Sequence, residues 1–183
     1  MRIECDFLVI GSGIAGLTFA NRIANQGRVI VISKRTAEES STERAQGGIA
    51  TVLSIEDSFD EHIKDTLAAG RGLCHLDSVK KCVEEGPARV RELIEMGVKF
   101  SERSGYPGEL DLGKEGGHSR RRIVHSDDAT GKEVMRAMLA LSRSRSDIKI
   151  LEHYMAVDLI VPNRGPDGVC MGAYVLDIKS KEV

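Results

Sequence analysis

Aromatic side chains are scarce in this chain of 183 residues: they make up 4% of it, and tryptophan is absent. Proteins that bind single-stranded nucleic acid stack bases on aromatic side chains, and the net charge of −2 offers phosphates no attraction. Long hydrophobic runs are also lacking, because the N-terminal MRIECDFLVI is charged from residue 2 and apolar only at its end. This pattern is typical of a core strand and not of a signal peptide or membrane span. We therefore expect a cytoplasmic protein with neither a nucleic-acid nor a membrane partner.

The cysteines show no metal-binding pattern. Cys5, Cys74, Cys82 and Cys170 contain no C-x-x-C pair and have no histidine at metal-ligand spacing. Disulfides or zinc remain the alternatives, but the pattern favours reduced, mostly buried thiols in a cytosolic protein, without a metal.

The start of the chain has the order strand, helix, strand. Residues 3–10 end in FLVI, a continuous apolar run typical of a strand buried on both faces. Apolar residues then recur at helical spacing from Ile14 to Ala24, and Gly27 is a suitable helix stop. The β-branched run RVIVIS follows. This order predicts an α/β fold with a Rossmann-like parallel sheet and helices on both faces.

The middle of the chain predicts helices separated by irregular segments. We expect a long loop over 34–54, a helix from Phe59 to Gly70, and two helical pieces, DSVKKCVEE and PARVRELIEMG. Pro87 suits the first turn of the second piece. Residues 101–122 have no apolar period, and Thr130-x-x-Glu133 predicts a capping box, with Asp127 and Asp128 beside it, opening another helix.

The end of the chain predicts a β-hairpin. Residues 148–161 form a strand candidate with a bend in its middle, residues 169–178 form a second, and PNRGPDG between them is a turn. An uncovered hairpin is only marginally stable, and its open edge invites aggregation. We therefore expect these 183 residues to be the N-terminal portion of a longer protein, the hairpin being the start of a β-meander.

A glycine turn at the first strand–helix junction predicts dinucleotide binding. Gly11, Gly13 and Gly16 fit G-x-G-x-x-G, in which the glycines allow a tight turn, close approach of a pyrophosphate and close helix–strand packing. A purely structural turn is the alternative. The acid that should follow about 20 residues later to hold a ribose is absent from Ile32-Ser33-Lys34. Because this acid is missing, a simple NAD dehydrogenase is disfavoured, although Ser33 could bond a hydroxyl and Lys34 could neutralise a phosphate.

The stretch STERAQGGIA, residues 41–50, changes this interpretation. Together with the first glycine turn and the preceding "SK", it resembles the flavoproteins of the succinate dehydrogenase, fumarate reductase and L-aspartate oxidase superfamily. Within that superfamily the chain is most similar to the L-aspartate oxidases, in DTLAAGRGLC (65–74), EGGHSRRRIVHSDDATGKEV (115–134) and AVDLIV (156–161). A flexible surface loop is the alternative for the diglycine.

The resemblance implies FAD as the cofactor, with the second stretch running along the flavin. The implied FAD contacts are Gly11, Ser12, Gly13, Ile14, Ala15, Gly16, Ser33, Lys34, Ser41, Thr42, Glu43, Arg44, Ala45, Gln46, Gly47, Gly48 and Ala156. Ala156 and Val157 match the place where the family's strand passes the adenine. In the succinate dehydrogenases and fumarate reductases, the position of Ser41 is occupied by a histidine that bonds covalently to FAD. The resemblance therefore implies that FAD is bound non-covalently here.

The resemblance also assigns a role to Glu115. In L-aspartate oxidases the matching glutamate faces the substrate amino group, and a carboxylate can distinguish aspartate from succinate, which has no cation. An ordinary exposed acid is the alternative. The cluster beside it is either solvated or a cationic wall for a dicarboxylate; its members are His118, Arg120, Arg121, Arg122 and His125.

The implied activity is oxidation of L-aspartate to iminoaspartate, the first step of NAD biosynthesis, with O2 or fumarate as electron acceptor and quinolinate synthase as pathway partner. The family's catalytic arginine and further carboxylate ligands come from a capping domain and later stretches that these residues do not include, so we expect the 183-residue piece alone to be inactive. The alternatives are a succinate dehydrogenase or fumarate reductase-type flavoprotein and a non-catalytic FAD-binding fragment.

Overall fold

The computed structural model describes residues 2–127, 129–163, 165 and 168–183. The chain divides into two compact units: Met1–Glu43 with Met135–Val183 form unit 1, and Arg44–Val134 form unit 2. Asp128, predicted to help start a helix, lies outside the described residues, as do Arg164, Pro166 and Asp167 of the predicted turn.

Eight strands and four α-helices lie within the described residues. They are β1 (Phe7–Ile10), α1 (Ile14–Ile23), β2 (Val29–Ser33), β3 (Ile49–Ala50), α2 (Phe59–Ala69), α3 (Leu76–Glu95), β4 (Leu112–Gly113), β5 (Ile123–Val124), α4 (Thr130–Arg143), β6 (Ile148–Glu152), β7 (Tyr154–Ile160) and β8 (Gly172–Asp177). A short 3-10 turn, Ala24–Gln26, extends α1 and ends at Gly27, the predicted helix stop.

The sheet of unit 1 confirms the predicted parallel α/β fold. Its order is β1-β2-β6, and both neighbouring pairs are parallel. All five residues of β2 are buried, as a central strand requires. The expectation that FLVI is buried on both faces is wrong, because β1 is at the sheet edge and Ile10 is 55% exposed. Residues 3–6, expected to belong to this strand, precede it.

The core of unit 1 lies between this sheet and α1. Leu17 and Ala20 of α1 are fully buried, and Ala20 packs in one cluster with Val9, Val31 and Ile148. Each fully buried aliphatic side chain contributes about 1.5–3 kcal/mol through removal of apolar surface from water. The first strand, the glycine turn and α1 are therefore held as one rigid piece.

The predicted bend between β6 and β7 occurs at His153, which has φ +66°. The chain leaves the parallel sheet there, and β7 pairs antiparallel with β8, confirming the hairpin. The register shifts between Ala156 and Asp158, so Val157 forms a β-bulge that increases the local twist.

Helices α2 and α3 pack against each other in unit 2. The Ser58 side chain accepts the Glu61 N–H at the start of α2, and Gly70 caps its end as predicted. The prediction of two helical pieces around Pro87 is wrong, since α3 continues from Leu76 to Glu95. Its buried stripe Val83, Pro87, Val90 and Leu93 is continuous, so apolar packing outweighs the proline's cost of about 3 kcal/mol.

A small antiparallel sheet, β3-β5-β4, has two of its strands inside segments predicted to be irregular. β3 falls within the expected loop 34–54, and β4 within 101–122. Both strands have two residues, which is too short for hydrophobic periodicity to reveal them.

The expected capping box at the start of α4 is wrong. Thr130 is the first helical residue, and its Oγ1 accepts the Ser126 N–H at 3.0 Å. The Glu133 N–H donates to the Ala129 carbonyl instead, while Glu133 Oε1 accepts the Lys99 N–H. Glu133 thus anchors the segment after α3.

All four cysteines are free thiols, as predicted, but none is fully buried, and Cys82 and Cys170 are exposed. The described residues contain no group of three His, Cys, Asp or Glu side chains able to hold a metal ion. No helix in the described part of the chain has the length and apolar character needed to cross a membrane.

Candidate functional site

The glycine turn of unit 1 has the geometry that an anion-binding turn requires. Gly11 has φ +106°, a value that favours glycine, and its N–H donates to Ile32 O at 2.9 Å. A Cβ at Gly11 would meet nothing within 4 Å, so the backbone borders open space. Gly13 starts α1 without a capping side chain, and the first turn of α1 contains no acid. The partial positive charge of the helix N-terminus is therefore left for a ligand.

Gly16 is required by packing. A Cβ at this position would lie 2.1 Å from the Gly11 carbonyl oxygen and 3.2 Å from a methyl group of Val9. The third glycine of the motif thus lets α1 approach β1, the role expected of it in a dinucleotide fold. The residues present fit a pyrophosphate at this turn.

Thr42 belongs to the part of the stretch 41–50 that lies in unit 1, and it contacts the residues of the first glycine turn. Its Oγ1 accepts the Ile14 N–H at 3.1 Å, which places the hydroxyl at the N-terminus of α1. The side chain is half-buried, whereas Ser41 beside it is exposed. The Ser40 hydroxyl holds the local turn by accepting the Glu43 N–H at 3.1 Å.

The hydroxyl of Ser33 is already used within the protein. Ser12 Oγ donates to Ser33 Oγ at 3.2 Å, and Ser33 Oγ donates to the Thr36 carbonyl at 3.2 Å. Both serines are buried, while Lys34 is exposed. The ribose bond anticipated for Ser33 stays a prediction, and its hydroxyl holds the end of β2 in the present structure.

Ala156 lies half-buried in β7 opposite Val175, next to the bulge. Val157 is 57% exposed there. The bulge leaves Val157 out of the regular β7–β8 register, and the contact of Ala156 and Val157 with adenine stays a prediction.

In unit 2, residues Arg44 to Gly48 are exposed, and the Ala45 carbonyl accepts the Gly131 N–H at 2.9 Å. Gly48 is fixed by packing, because a Cβ there would lie 2.3 Å from the Val124 carbonyl oxygen and 2.4 Å from an Ile123 methyl group. The second glycine of the pair therefore serves the contact with β5.

The first glycine of the pair lies against Glu115. A Cβ at Gly47 would lie 3.1 Å from Glu115 Oε1 and 3.5 Å from Oε2. The small β3-β5-β4 sheet causes this approach, since Gly47 shortly precedes β3 and Glu115 shortly follows β4. Two residues singled out separately in the sequence thus come together in unit 2.

Arg122 is neither solvated nor part of a cationic wall. It is 0% exposed, and it binds Asp57 with two hydrogen bonds, of 2.8 Å from Nε and 2.7 Å from Nη2. Its Nη1 donates to Asp65 Oδ2 at 2.7 Å. Burial alone would raise the pKa of Asp65, but hydrogen bonds from Ser119 and Arg122 outweigh it and lower the pKa to about 2.

The rest of the basic cluster is also paired. Arg120 forms a bidentate pair with Glu61, both bonds being 3.0 Å, and Arg121 Nε donates to the Leu112 carbonyl at 2.7 Å. His125 Nε2 lies 3.2 Å from Asp111 Oδ2. These carboxylates offset most of the positive charge expected to attract a dicarboxylate.

Two histidines of unit 2 contact each other. The rings of His62 and His118 lie 5.7 Å apart, and His118 Nδ1 is 3.4 Å from Arg122 Nη1. Because a guanidinium only donates hydrogen bonds, His118 Nδ1 can take part in this contact only as the acceptor. Burial, assisted by the positive charge of Arg122, lowers the pKa of His62, so His62 is neutral near pH 7.

Sequence reasoning missed Asp57 and Asp65 as partners of the basic cluster. The only available signal was the spacing of Glu61 and Asp65, which puts two acids on one face of α2, away from the apolar stripe of Phe59 and Ile63.

A parallel α/β sheet with a G-x-G-x-x-G turn opening onto a helix N-terminus defines a dinucleotide-binding protein. The chain belongs to the FAD binding domain family, whose sequence model matches residues 6–183. FAD is therefore its cofactor.

Within this family, the chain is similar to proteins named L-aspartate oxidase. The chloroplastic L-aspartate oxidase 2-b of Nicotiana tabacum is 47% identical over 97% of this chain and 27% of its own length. The L-aspartate oxidase of Pseudomonas aeruginosa is 43% identical over 97% of this chain and 34% of its own. Among solved structures, E. coli quinol fumarate reductase has a TM-score of 0.85 and 28% identity, over 97% of this chain and 30% of that one. The chain thus spans about a third of the length of the relatives it matches.

Proposed function

We propose that these residues form the N-terminal part of the FAD-binding domain of an enzyme that oxidises L-aspartate to iminoaspartate. The reaction removes two electrons and two protons from the substrate. FAD supplies the capacity to accept the two electrons and to pass them to O2 or fumarate. Support comes from the family and from curated relatives that carry the name L-aspartate oxidase at 42–47% identity.

The observation that carries this proposal is the contact of the Glu115 carboxylate with Gly47. In the proposed site the exposed backbone of Gln46 and Gly47 borders the flavin, and the carboxylate beside it pairs with the substrate ammonium group. A charge-assisted hydrogen bond of this kind is about twice as strong as a neutral one. It distinguishes aspartate from succinate, which lacks the ammonium group.

We propose that the glycine turn from Gly11 to Gly16 holds the pyrophosphate of FAD. Thr42 would keep the first N–H of α1 oriented or exchange that bond for one to the cofactor. Ser41, exposed and carrying a hydroxyl, offers no imidazole for a covalent link, so FAD is bound non-covalently in this proposal.

The remaining proposals concern the whole enzyme. Its capping domain would contribute the catalytic arginine and further carboxylate ligands, and these 183 residues alone would be inactive. We place the enzyme in the cytoplasm, as the first step of NAD biosynthesis, with quinolinate synthase consuming the unstable imine.

The test is a peroxide assay on the full-length protein with L-aspartate and succinate side by side. We expect activity with aspartate and little with succinate. For Glu115→Gln we expect kcat/KM for aspartate to fall at least tenfold, because the lost ion pair contributes about 1.5–3 kcal/mol, while reduction of fumarate falls much less. Glu109→Gln, an exposed acid of unit 2 paired with Arg103, is the matched control.

Two results would contradict the proposal. Activity on succinate alone would support a succinate dehydrogenase or fumarate reductase type of enzyme instead. Equal losses for aspartate and fumarate in Glu115→Gln would mean that Glu115 does not recognise the amino group.

A further inference from the structure

One face of α2 lies along the segment that carries Glu115. Ser119 and Arg120 bond to Asp65 and Glu61 of this helix, respectively, and a Cβ at Gly117 would lie 3.8 Å from the Ala69 methyl group. Positions 61, 65 and 69 are four residues apart, so they share one face of the helix.

Asp65 makes the most contacts on this face. Its Oδ2 accepts three hydrogen bonds, all of 2.7 Å, from Ser119 N, Ser119 Oγ and Arg122 Nη1. The Asp65 side chain is 16% exposed, compared with 39% for Glu61 in its pair with Arg120. Less exposed, charge-assisted bonds are stronger than surface ion pairs, so Asp65 contributes more than Glu61 to holding the segment.

The segment from Glu115 to Arg122 needs such an anchor. Its C-terminal end is fixed, because Arg122 N donates to Gly113 O at 3.0 Å and Arg122 O accepts the Thr51 N–H at 2.9 Å. At its N-terminal end Glu115 is followed by Gly116 and by Gly117, which has φ +85°. Two consecutive glycines give little stiffness of their own.

We propose that Asp65 is a positioning residue for Glu115. By binding Ser119 and Arg122 it holds the diglycine segment so that the Glu115 carboxylate stays against Gly47. This inference rests on the proposed function for its effect on substrate, but its structural part is independent of any activity.

The experiment compares Asp65→Asn with Asp60→Asn in the full-length FAD-bound protein. The first substitution keeps the size of the side chain but removes the charge that Arg122 and Ser119 bind, whereas Asp60 is an exposed acid of the same helix. Hydrogen exchange of residues 115–122 is measured first, together with flavin content. We expect faster exchange in this segment for Asp65→Asn, with unchanged exchange in 14–23 and unchanged flavin content.

Kinetics with L-aspartate follow, with succinate as a competitive inhibitor that lacks the amino group. We expect kcat/KM for aspartate to fall roughly tenfold or more, as small displacements of positioning groups produce, while the inhibition constant for succinate changes less than about twofold, since succinate has no ammonium group for Glu115 to bind. Asp65→Glu, which restores the charge, should recover part of the loss. Asp60→Asn should behave as the unaltered protein.

Unchanged exchange in 115–122 would overturn the inference, and so would equal losses for aspartate and succinate, which would indicate general damage to the site. An unaltered protein without activity on aspartate would refute the proposed function instead, and the exchange result would still decide whether Asp65 holds the segment.

Discussion

Replacing Arg122 by methionine tests how much the buried ion triad of unit 2 stabilises the fold. Methionine fills most of the same volume, so the main change is electrostatic. Asp57, whose side chain is 1% exposed, loses both hydrogen bonds from the guanidinium. Asp65 loses one of its three.

The loss of stability depends on the hydrogen bonds that Asp57 and Asp65 keep in the variant. Removing one partner of a buried ion pair costs about 3–5 kcal/mol, because an uncompensated charge is left behind. Here Asp57 Oδ1 still accepts the Ser58 N–H at 2.9 Å, and Asp65 keeps both bonds from Ser119. We therefore expect the lower end, a loss of about 3 kcal/mol in the free energy of unfolding at pH 7.

Urea denaturation of the full-length protein measures this loss, with Arg120→Met as the matched control. Arg120 is 47% exposed in its pair with Glu61, so its replacement should cost less than about 1 kcal/mol.

The dependence on pH provides a second check. In the unaltered protein the pKa of Asp65 is lowered from 3.8 to about 2. Its contribution, at most about 2 kcal/mol and less after solvent screening, is complete above pH 4 and lost as pH falls toward 2. Without Arg122, the pKa of Asp65 is lowered less, because only the bonds from Ser119 remain to oppose burial, and His62 no longer faces the cation that helps to lower its pKa. The difference between variant and unaltered protein should therefore shrink as pH falls from 7 toward 4. A loss no larger than that of Arg120→Met, or one independent of pH, would refute this reasoning.

Two further predictions follow from the glycine-rich stretches. Gly48→Ala should destabilise the protein by about 1–3 kcal/mol in urea denaturation, because its Cβ would lie 2.3 Å from the Val124 carbonyl oxygen; Gly116→Ala, with nothing within 4 Å, is the control, and equal effects would contradict the packing argument. Acid precipitation of the full-length protein should leave FAD in the supernatant, because Ser41 cannot form the histidine-type covalent bond; a yellow pellet would contradict this.

The fold was predictable where local pattern and tertiary structure agree. Local sequence specifies a strand in FLVI, a turn in GSGIAG and a second strand in RVIVIS, with little help from distant residues. The second strand, β2, is buried throughout, as its composition requires. The pattern could not show that β1 is an edge strand. At Pro87 local preference and tertiary packing conflict, and the buried stripe of α3 decides in favour of one continuous helix.

The site was predictable as a set of residues but not as a set of contacts. Glu115 and Gly47 are far apart along the chain, and only the small β3-β5-β4 sheet, built from two-residue strands, brings them together. Arg122 has the same appearance in the sequence as Arg120 and Arg121, yet only Arg122 is buried among carboxylates. The acids that bind Arg120 and Arg122 lie on or near α2, far along the chain, so no local pattern distinguishes the three arginines.

The order in which unit 1 is synthesised matters for its folding. Its parallel sheet joins β2 to a strand that emerges only after all of unit 2, and the Ala37 N–H bonds a Glu152 carboxylate 115 residues away. At about 5–20 residues per second the ribosome needs roughly 6–23 s to deliver the missing strand. During that time the apolar VIVIS segment has an unpaired edge, a template for association with other chains. We therefore expect nascent chains stalled within unit 2 to depend on chaperones. In the finished sheet this edge of β2 is paired with β6.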